Sequence, residues 1–182
     1  MPRKYAIRDQ EKYHFVTFTV VHWVDVFTKP VYTNIFIDSV KYCQQHKGLM
    51  AGAWCIMSNH VHMIIATSGE NKLQDIIRDL KSFTSRQIRK HIEKNQESRR
   101  QWMLEIFKKA GTEKSNNIDW QFWQQHNHPI ELDTNDIMDQ KMEYIHNNPV
   151  KAGFVDEPHH WLNSSATDYC GEKGLIEIEF LD

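Results

Sequence analysis

Two apolar runs, residues 50–57 (MAGAWCIM) and 60–67 (HVHMIIAT), are separated by only Ser58 and Asn59. A two-residue connection joins antiparallel neighbours, so the pair reads as a β-hairpin with a tight turn. The hairpin is flanked by two predicted helices. Residues 34–46 carry Ile35, Ile37, Val40 and Tyr42 among polar residues, and Gly48 supplies a stop signal. Residues 72–94 place Leu73, Ile76, Ile77, Leu80, Phe83, Ile88 and Ile92 at helical spacing on one apolar face, with Arg78, Lys81 and Arg89 on another. Upstream, residues 13–23 (YHFVTFTVVHW) are rich in β-branched and aromatic side chains and read as a first strand. Downstream, residues 98–110 extend the second helix or form a short one ended by Gly111, and residues 112–117 form a polar loop. Residues 119–132 contain a strand, and residues 136–147 form a helix with Asp136 and Asp139 in its first turn and Pro149 stopping it. From Pro158 the chain is irregular until the short apolar run 175–181.

The order β-α-β-β-α-β-α is that of an α+β, ferredoxin-like split βαβ fold with an additional C-terminal helix. It predicts an antiparallel sheet with helices on one face and the other face free for a ligand or a nucleic-acid strand. A chain of 182 residues suits one domain, residues 1–182, with a core at about 10–155 and a C-terminal extension at 156–182. The apolar fraction of 40% and aromatic fraction of 12% suffice for a buried core, which argues against disorder. No apolar stretch reaches the ~18 residues of a membrane span. Residues 1–12 lack the apolar block of a signal peptide. Cys43, Cys55 and Cys170 are odd in number and far apart, which argues against a disulfide scaffold or a cysteine-built zinc site and fits a reducing cytoplasm.

The formal net charge is −2, yet residues 72–114 hold 12 Lys+Arg against 6 Asp+Glu, a local +6 that leaves −8 for the rest. Such asymmetry is the footprint of a phosphate-contacting face on an acidic protein, or of a solvated helix with scattered charge.

His60 and His62, two apart on a predicted strand, project from the same sheet face about 7 Å apart along the strand and can share a divalent ion. Val61 between them points to the core. With 11 histidines, roughly one His-x-His is expected by chance. A second pair, His126-Asn127-His128, lacks the apolar middle residue and is followed by Pro129. Tyr144 lies about 100° or more off the stripe formed by Met138, Met142 and Ile145, on a face shared with Lys141 and Asn148. Alone, Tyr144 reads as a half-buried surface tyrosine and Asn148 as a helix-terminating residue before Pro149.

Together these segments are more specific. Residues 57–65 (MSNHVHMII) resemble the HUH strand of the single-tyrosine transposases. Residues 144–155 (YIHNNPVKAGFV) resemble the signature helix of their REP-associated tyrosine transposase branch, in the family's order and at roughly its separation. Trp161, Ser164, Ser165 and Tyr169 resemble the tail that follows. The resemblance implies His60, His62 and Asn148 as metal ligands, Tyr144 as nucleophile and the same ferredoxin-like sheet. It leaves the role of His126 open, and the segment 93–117 is longer than the family's minimum.

Two imidazoles and an amide oxygen suit Mg²⁺ or Mn²⁺, although imidazoles also accept zinc. The ion would serve as Lewis acid and template for an attack on phosphorus. A phenol titrates near 10, so a tyrosine nucleophile at neutral pH needs about 4 kcal/mol from its surroundings, to which a metal and Lys141 could contribute. Its covalent product keeps a phosphoester that a DNA 3′-hydroxyl can later attack. The chemistry implied is therefore cleavage and rejoining of single-stranded DNA, at hairpin-forming repeats, through a 5′-phosphotyrosine. Arg78, Lys81, Arg86, Arg89, Lys90 and Lys141 are the expected DNA contacts. Trp102, Trp120 and Trp123 either stack on bases or pack in the core. A homodimer is open, with Tyr144 serving its own or its partner's metal site. Two rivals remain: a zinc-dependent hydrolase drawing on His126 or His128, and a non-catalytic nucleic-acid-binding module on an RRM-like sheet, against which the lack of an RNP-type aromatic pattern weighs.

Overall fold

A computed structural model describes residues 7, 9–113 and 119–181. Residues 114–117 of the predicted polar loop, and residues 1–6 and 8 of the N-terminus, lie outside the described residues. The elements are β1 (His14–Thr19), α1 (Pro30–Lys47), β2 (Leu49–Ile56), β3 (His60–Thr67), α2 (Leu73–Lys94), α3 (Arg100–Thr112), β4 (Ile130–Glu131), α4 (Asn135–Lys151) and α5 (Ala166–Tyr169). The strands form one antiparallel sheet in the order β2-β3-β1-β4, the split βαβ arrangement.

Pleat alternation gives the sheet two unlike faces. Val16 and Phe18 of β1 and Val61, Met63 and Ile65 of β3 enter the main core, which α1, α2 and α3 cover. Phe15 of β1 and Ile64 of β3 leave on the other face, where Ile145 of α4 meets them together with Ala53, Cys55, Met57 and Leu132. On β2 the alternation changes phase. Leu49 and Ala51 join the main core before an irregularity between Ala51 and Ala53, and Trp54 and Ile56 do so after it. The extra residue at the bulge is what moves the core side chains from odd to even positions.

The expectation of one free sheet face is corrected: α4 lies across β2 and β3 on that face, burying its own apolar positions there. Pro149 does not stop α4 but sits buried inside it. In a last turn a proline forfeits a single backbone donor, which the helix tolerates. The true stop is Gly153, left-handed at φ 74°, with Gly153 N–H bonded to Val150 O and Phe154 N–H to Pro149 O, both at 2.9 Å. This is the Schellman pair of bonds.

Other boundaries also move. α1 begins four residues early because Pro30 serves as a first-turn proline, and Gly48 closes it at φ 72°. Residues 100–112 form a helix of their own, and Gly111 lies within it at a position where a Cβ would run into the Trp120 backbone. On α2, Phe83 is exposed and Thr84 takes the inner place, accepting a hydrogen bond from Trp123 Nε1 at 3.0 Å. The strand predicted within residues 119–132 shrinks to two residues, because His128 has a left-handed backbone and Pro129 follows it.

The C-terminal segment lies along the outer edge of β2. Ile56 N–H donates to Asn163 O (2.8 Å), Ser165 N–H to Trp54 O (2.9 Å), Trp161 Nε1 to Ile56 O (2.9 Å) and Glu179 N–H to Ala51 O (2.8 Å). An edge that would otherwise offer unpaired backbone groups is thereby covered. No described helix is long and apolar enough to cross a membrane.

Candidate active site

His60 and His62 stand side by side on the α4 face of β3, their ring centroids 4.7 Å apart. Directly across the β1–β3 register from His62 is Thr17, whose Oγ1 lies 2.9 Å from His62 Nδ1. Phe15 stacks on the same imidazole at 5.4 Å and 23°. His62 is buried, and its Nε2 has no hydrogen-bond partner. Burial, aided by the charges of His60 and Lys141, pushes the His62 imidazolium down to about 3. Burial also lowers His60, and the adjacent Asn148 side chain, acting as an acceptor towards the ring, works in the opposite direction. Both rings are therefore neutral at neutral pH, the state in which imidazole can bind a metal.

Asn59 fixes which nitrogen of His60 is bare. Its Nδ2 donates to Trp23 O at 3.3 Å, and a carbonyl can only accept. Asn59 Oδ1 must then be the atom 2.7 Å from His60 Nδ1, so that Nδ1 carries the proton and Nε2 keeps its lone pair.

Tyr144 arrives from α4, 77 residues after the end of β3. Its ring meets His62 edge-on at 5.2 Å and Phe15 at 6.0 Å, and it is 41% exposed. Asn148, one helical turn on, reaches His60 because α4 continues past Pro149. Lys141 Nζ lies 4.9 Å from the Phe15 ring centroid and 5.9 Å from that of Tyr144, and Lys151 Nζ lies 5.8 Å from the latter. The structure thus gathers His60, His62, Asn148, Tyr144 and Lys141 in one place. A buried imidazole nitrogen without a partner, a second with a defined lone pair and an adjacent amide form a donor set that a divalent cation fits.

The other predicted residues lie elsewhere. Arg78 is paired with Asp75 at 2.7 Å and Asp79 at 3.0 Å, and Arg89 with Glu93 at 2.8 Å. Lys81 Nζ donates to Gln124 O at 2.6 Å and Asn127 Oδ1 at 2.7 Å, and burial lowers it to about 8. Arg86 and Lys90 are exposed. All five stand on α2, which packs on the opposite side of the sheet from His60. Trp123 is buried, Trp120 lies under Arg89, and Trp102 is exposed. His126 and His128 face one another at 6.0 Å before β4, and no cluster of three or more His, Cys, Asp or Glu is assembled among the described residues. Thr17, Phe15, Asn59 and Lys151 were not singled out from the sequence. Strand alternation puts residues 15 and 17 on one face, but only the pairing register sets them against His62.

Comparison with known proteins places this geometry in context. Among solved structures, a REP-associated tyrosine transposase bound to a REP hairpin superposes with a TM-score of 0.66 at 15% identity, covering 100% of this chain and 94% of that one. A protein from Deinococcus radiodurans R1 described as a transposase gives a TM-score of 0.46 at 15% identity, covering 81% of this chain and 95% of that one. No curated protein matches by sequence. The sequence profile of the family described as transposase, IS200 like, matches residues 8–118, more than half of the chain, a span that holds β1 to β3 and both imidazoles and ends before α4. The chain therefore belongs to the IS200-like transposase family and is a DNA-processing enzyme of that kind.

Proposed function

We propose that this transposase cleaves and rejoins single-stranded DNA through a covalent 5′-phosphotyrosine at Tyr144, with hairpin-forming DNA as its substrate. The observation that carries this reading is the meeting of Tyr144 with His62 at 5.2 Å, with the Asn148 side chain adjoining His60, from two elements far apart in sequence. The hairpin bound to the structurally similar REP-associated transposase supports the substrate class.

His60, His62 and Asn148 would hold a divalent metal, Mg²⁺ or Mn²⁺, which supplies Lewis-acid stabilisation of charge on the phosphate when bound. Thr17 and Asn59 hold the two imidazoles in place through their Nδ1 atoms. Lys141 and Lys151, over the tyrosine ring, give the anionic phosphodiester a counter-charge. Tyr144 Oη forms the new bond to phosphorus as the bond to the 3′ oxygen breaks. The phenolic proton passes to solvent, to which the half-exposed ring is open, and the departing oxygen takes one up. The phosphoester is retained, so a 3′-hydroxyl can reverse the step and seal a strand. Arg86 and Lys90 of α2 would hold the flanking DNA backbone.

Incubation with labelled hairpin DNA and Mg²⁺ or Mn²⁺ should yield a denaturant-resistant adduct on Tyr144. Tyr144→Phe should fold and bind the hairpin but lose cleavage by more than about a thousandfold, because no oxygen remains to attack phosphorus. His60→Ala and His62→Ala should also lose cleavage. Attachment at Tyr13 or Tyr169, or cleavage without any adduct, would overturn the assignment, the latter in favour of a hydrolase.

A further inference from the structure

Trp23 is an aromatic residue whose setting the core does not explain. It is 59% exposed, although a tryptophan ordinarily buries much of its surface. It has φ 56°, directly after His22 at φ 54°. Two successive left-handed residues, neither a glycine, are costly, and such strain persists only where the surroundings impose it. Here they do. Trp23 N–H donates to Val20 O at 3.1 Å, Trp23 O accepts from Asn59 Nδ2 at 3.3 Å, and Val20 N–H donates to Asn59 O at 3.0 Å. The turn after β1 is thereby clamped to the turn between β2 and β3.

The clamp holds the indole edge-to-face against His60, with centroids 5.9 Å apart at 77°. One side chain, Asn59, sets both the His60 tautomer and the Trp23 carbonyl. An exposed aromatic face is thus fixed beside His60, while Tyr144 contacts the other imidazole, His62. A base of single-stranded DNA has an unpaired π-face to offer, and stacking on a side chain already immobilised costs little additional ordering.

Resting on the reading of the site as a single-strand DNA nuclease and joining centre, we propose that Trp23 is the stacking platform for one of the two nucleobases that flank the scissile phosphate. It would orient that nucleotide so that phosphorus comes into line with Tyr144 Oη. Stacking reads a ring face rather than hydrogen-bonding edges, so the platform sets position and tolerates base identity.

The test is a coupling measurement. Hairpins with randomised single-stranded flanks are sorted by adduct formation with the wild-type protein, and one captured sequence becomes the probe. Each nucleotide around its cut is then replaced in turn by an abasic site. Adduct formation under single-turnover conditions is measured for wild type, Trp23→Ala and Trp23→Phe. On the intact probe Trp23→Ala should lose about tenfold to a hundredfold, and Trp23→Phe much less. An abasic site at one flanking position should cost the wild type the same factor and cost Trp23→Ala almost nothing more. A merely structural role for Trp23 gives losses that multiply at every position, and that result overturns the platform while leaving the nucleophile reading intact. Full activity of Trp23→Ala overturns it equally. If no flank in the pool forms an adduct with the wild type, the nuclease reading itself fails, and the platform with it.

Discussion

His146 leaves α4 about 200° around the helix from Tyr144, and so points to the tail rather than to the imidazoles. Its Nε2 lies 2.8 Å from Ser165 Oγ, which in turn accepts the Trp54 N–H at 2.9 Å, so a helix, the tail and β2 meet at one hydroxyl. Burial pushes the His146 imidazolium down to about 4. An unfolded histidine titrates near 6.5, so below that pH the unfolded chain binds a proton that the folded one refuses, and stability falls as pH drops from 6.5 towards 4. His146→Gln, which keeps a hydrogen-bonding group but cannot titrate, should reduce the stability difference between pH 7 and pH 4.5 by about 2 kcal/mol in urea melts. An unchanged difference would place the acid sensitivity elsewhere, with His62 the next candidate. At this scale the legible part of the site was the part that depends on local periodicity. His60 and His62 share a face because strands repeat every two residues, and Tyr144 and Asn148 share one because helices nearly repeat every four. Thr17 became visible only through strand register, and Trp23 only through a left-handed turn where the strand pattern in the sequence simply ran on.

Among the elements, α4 is closed by Gly153 rather than by Pro149, and the difference can be measured. Nothing lies within 4 Å of a Cβ added at Gly153, so Gly153→Ala meets only the backbone cost of a left-handed alanine. It should lower stability by about 1 kcal/mol, and Gly153→Asn by less, since asparagine tolerates that conformation. A neutral Gly153→Ala would show that the final turn, which carries Asn148, needs no such closure. β3 runs over the residues expected from its pattern, because its limits are set by a two-residue turn on one side and the loop before α2 on the other. The fourth strand was far less legible. Residues 121–127 do run beside β1, with Thr19 O accepting Gln124 N–H at 2.8 Å and Asn127 O accepting Thr17 N–H at 3.1 Å, but the ladder is too irregular to leave a repeat in the sequence. Phe83 and Thr84 exchange roles for a similar reason. Apolarity favours Phe83 for the inside, while the i, i+4 spacing from Leu80 through residue 84 to Ile88 selects Thr84, which Trp123 then satisfies.

Across the whole molecule, the sheet separates the imidazoles and the tyrosine on one side from the basic helix α2 on the other. DNA held by both must pass around the sheet. Among the α2 cations, Arg78, Lys81 and Arg89 are already engaged within the protein, whereas Arg86 and Lys90 have no carboxylate partner among the described residues. Each phosphate neutralised on a single strand contributes a slope of about −0.7 to log affinity against log salt. Arg86→Glu combined with Lys90→Glu should weaken hairpin binding and make that slope shallower by about 1.4, if each cation meets one phosphate. An unaltered slope would remove α2 from the DNA path. On the side that holds the imidazoles and the tyrosine, the two elements differ in tempo. Val61 and Met63 of β3 are fully buried, so the imidazoles that alternate with them are immobile for as long as the molecule stays folded. α4 buries only Ile145 and Pro149 of its own residues, and its opening therefore requires less free energy than unfolding the sheet. Tyr144 and the two imidazoles beside it thus belong to different kinetic regimes: the strand that carries His60 and His62 opens only when the sheet unfolds, whereas the helix that carries Tyr144 and Asn148 can open within that lifetime.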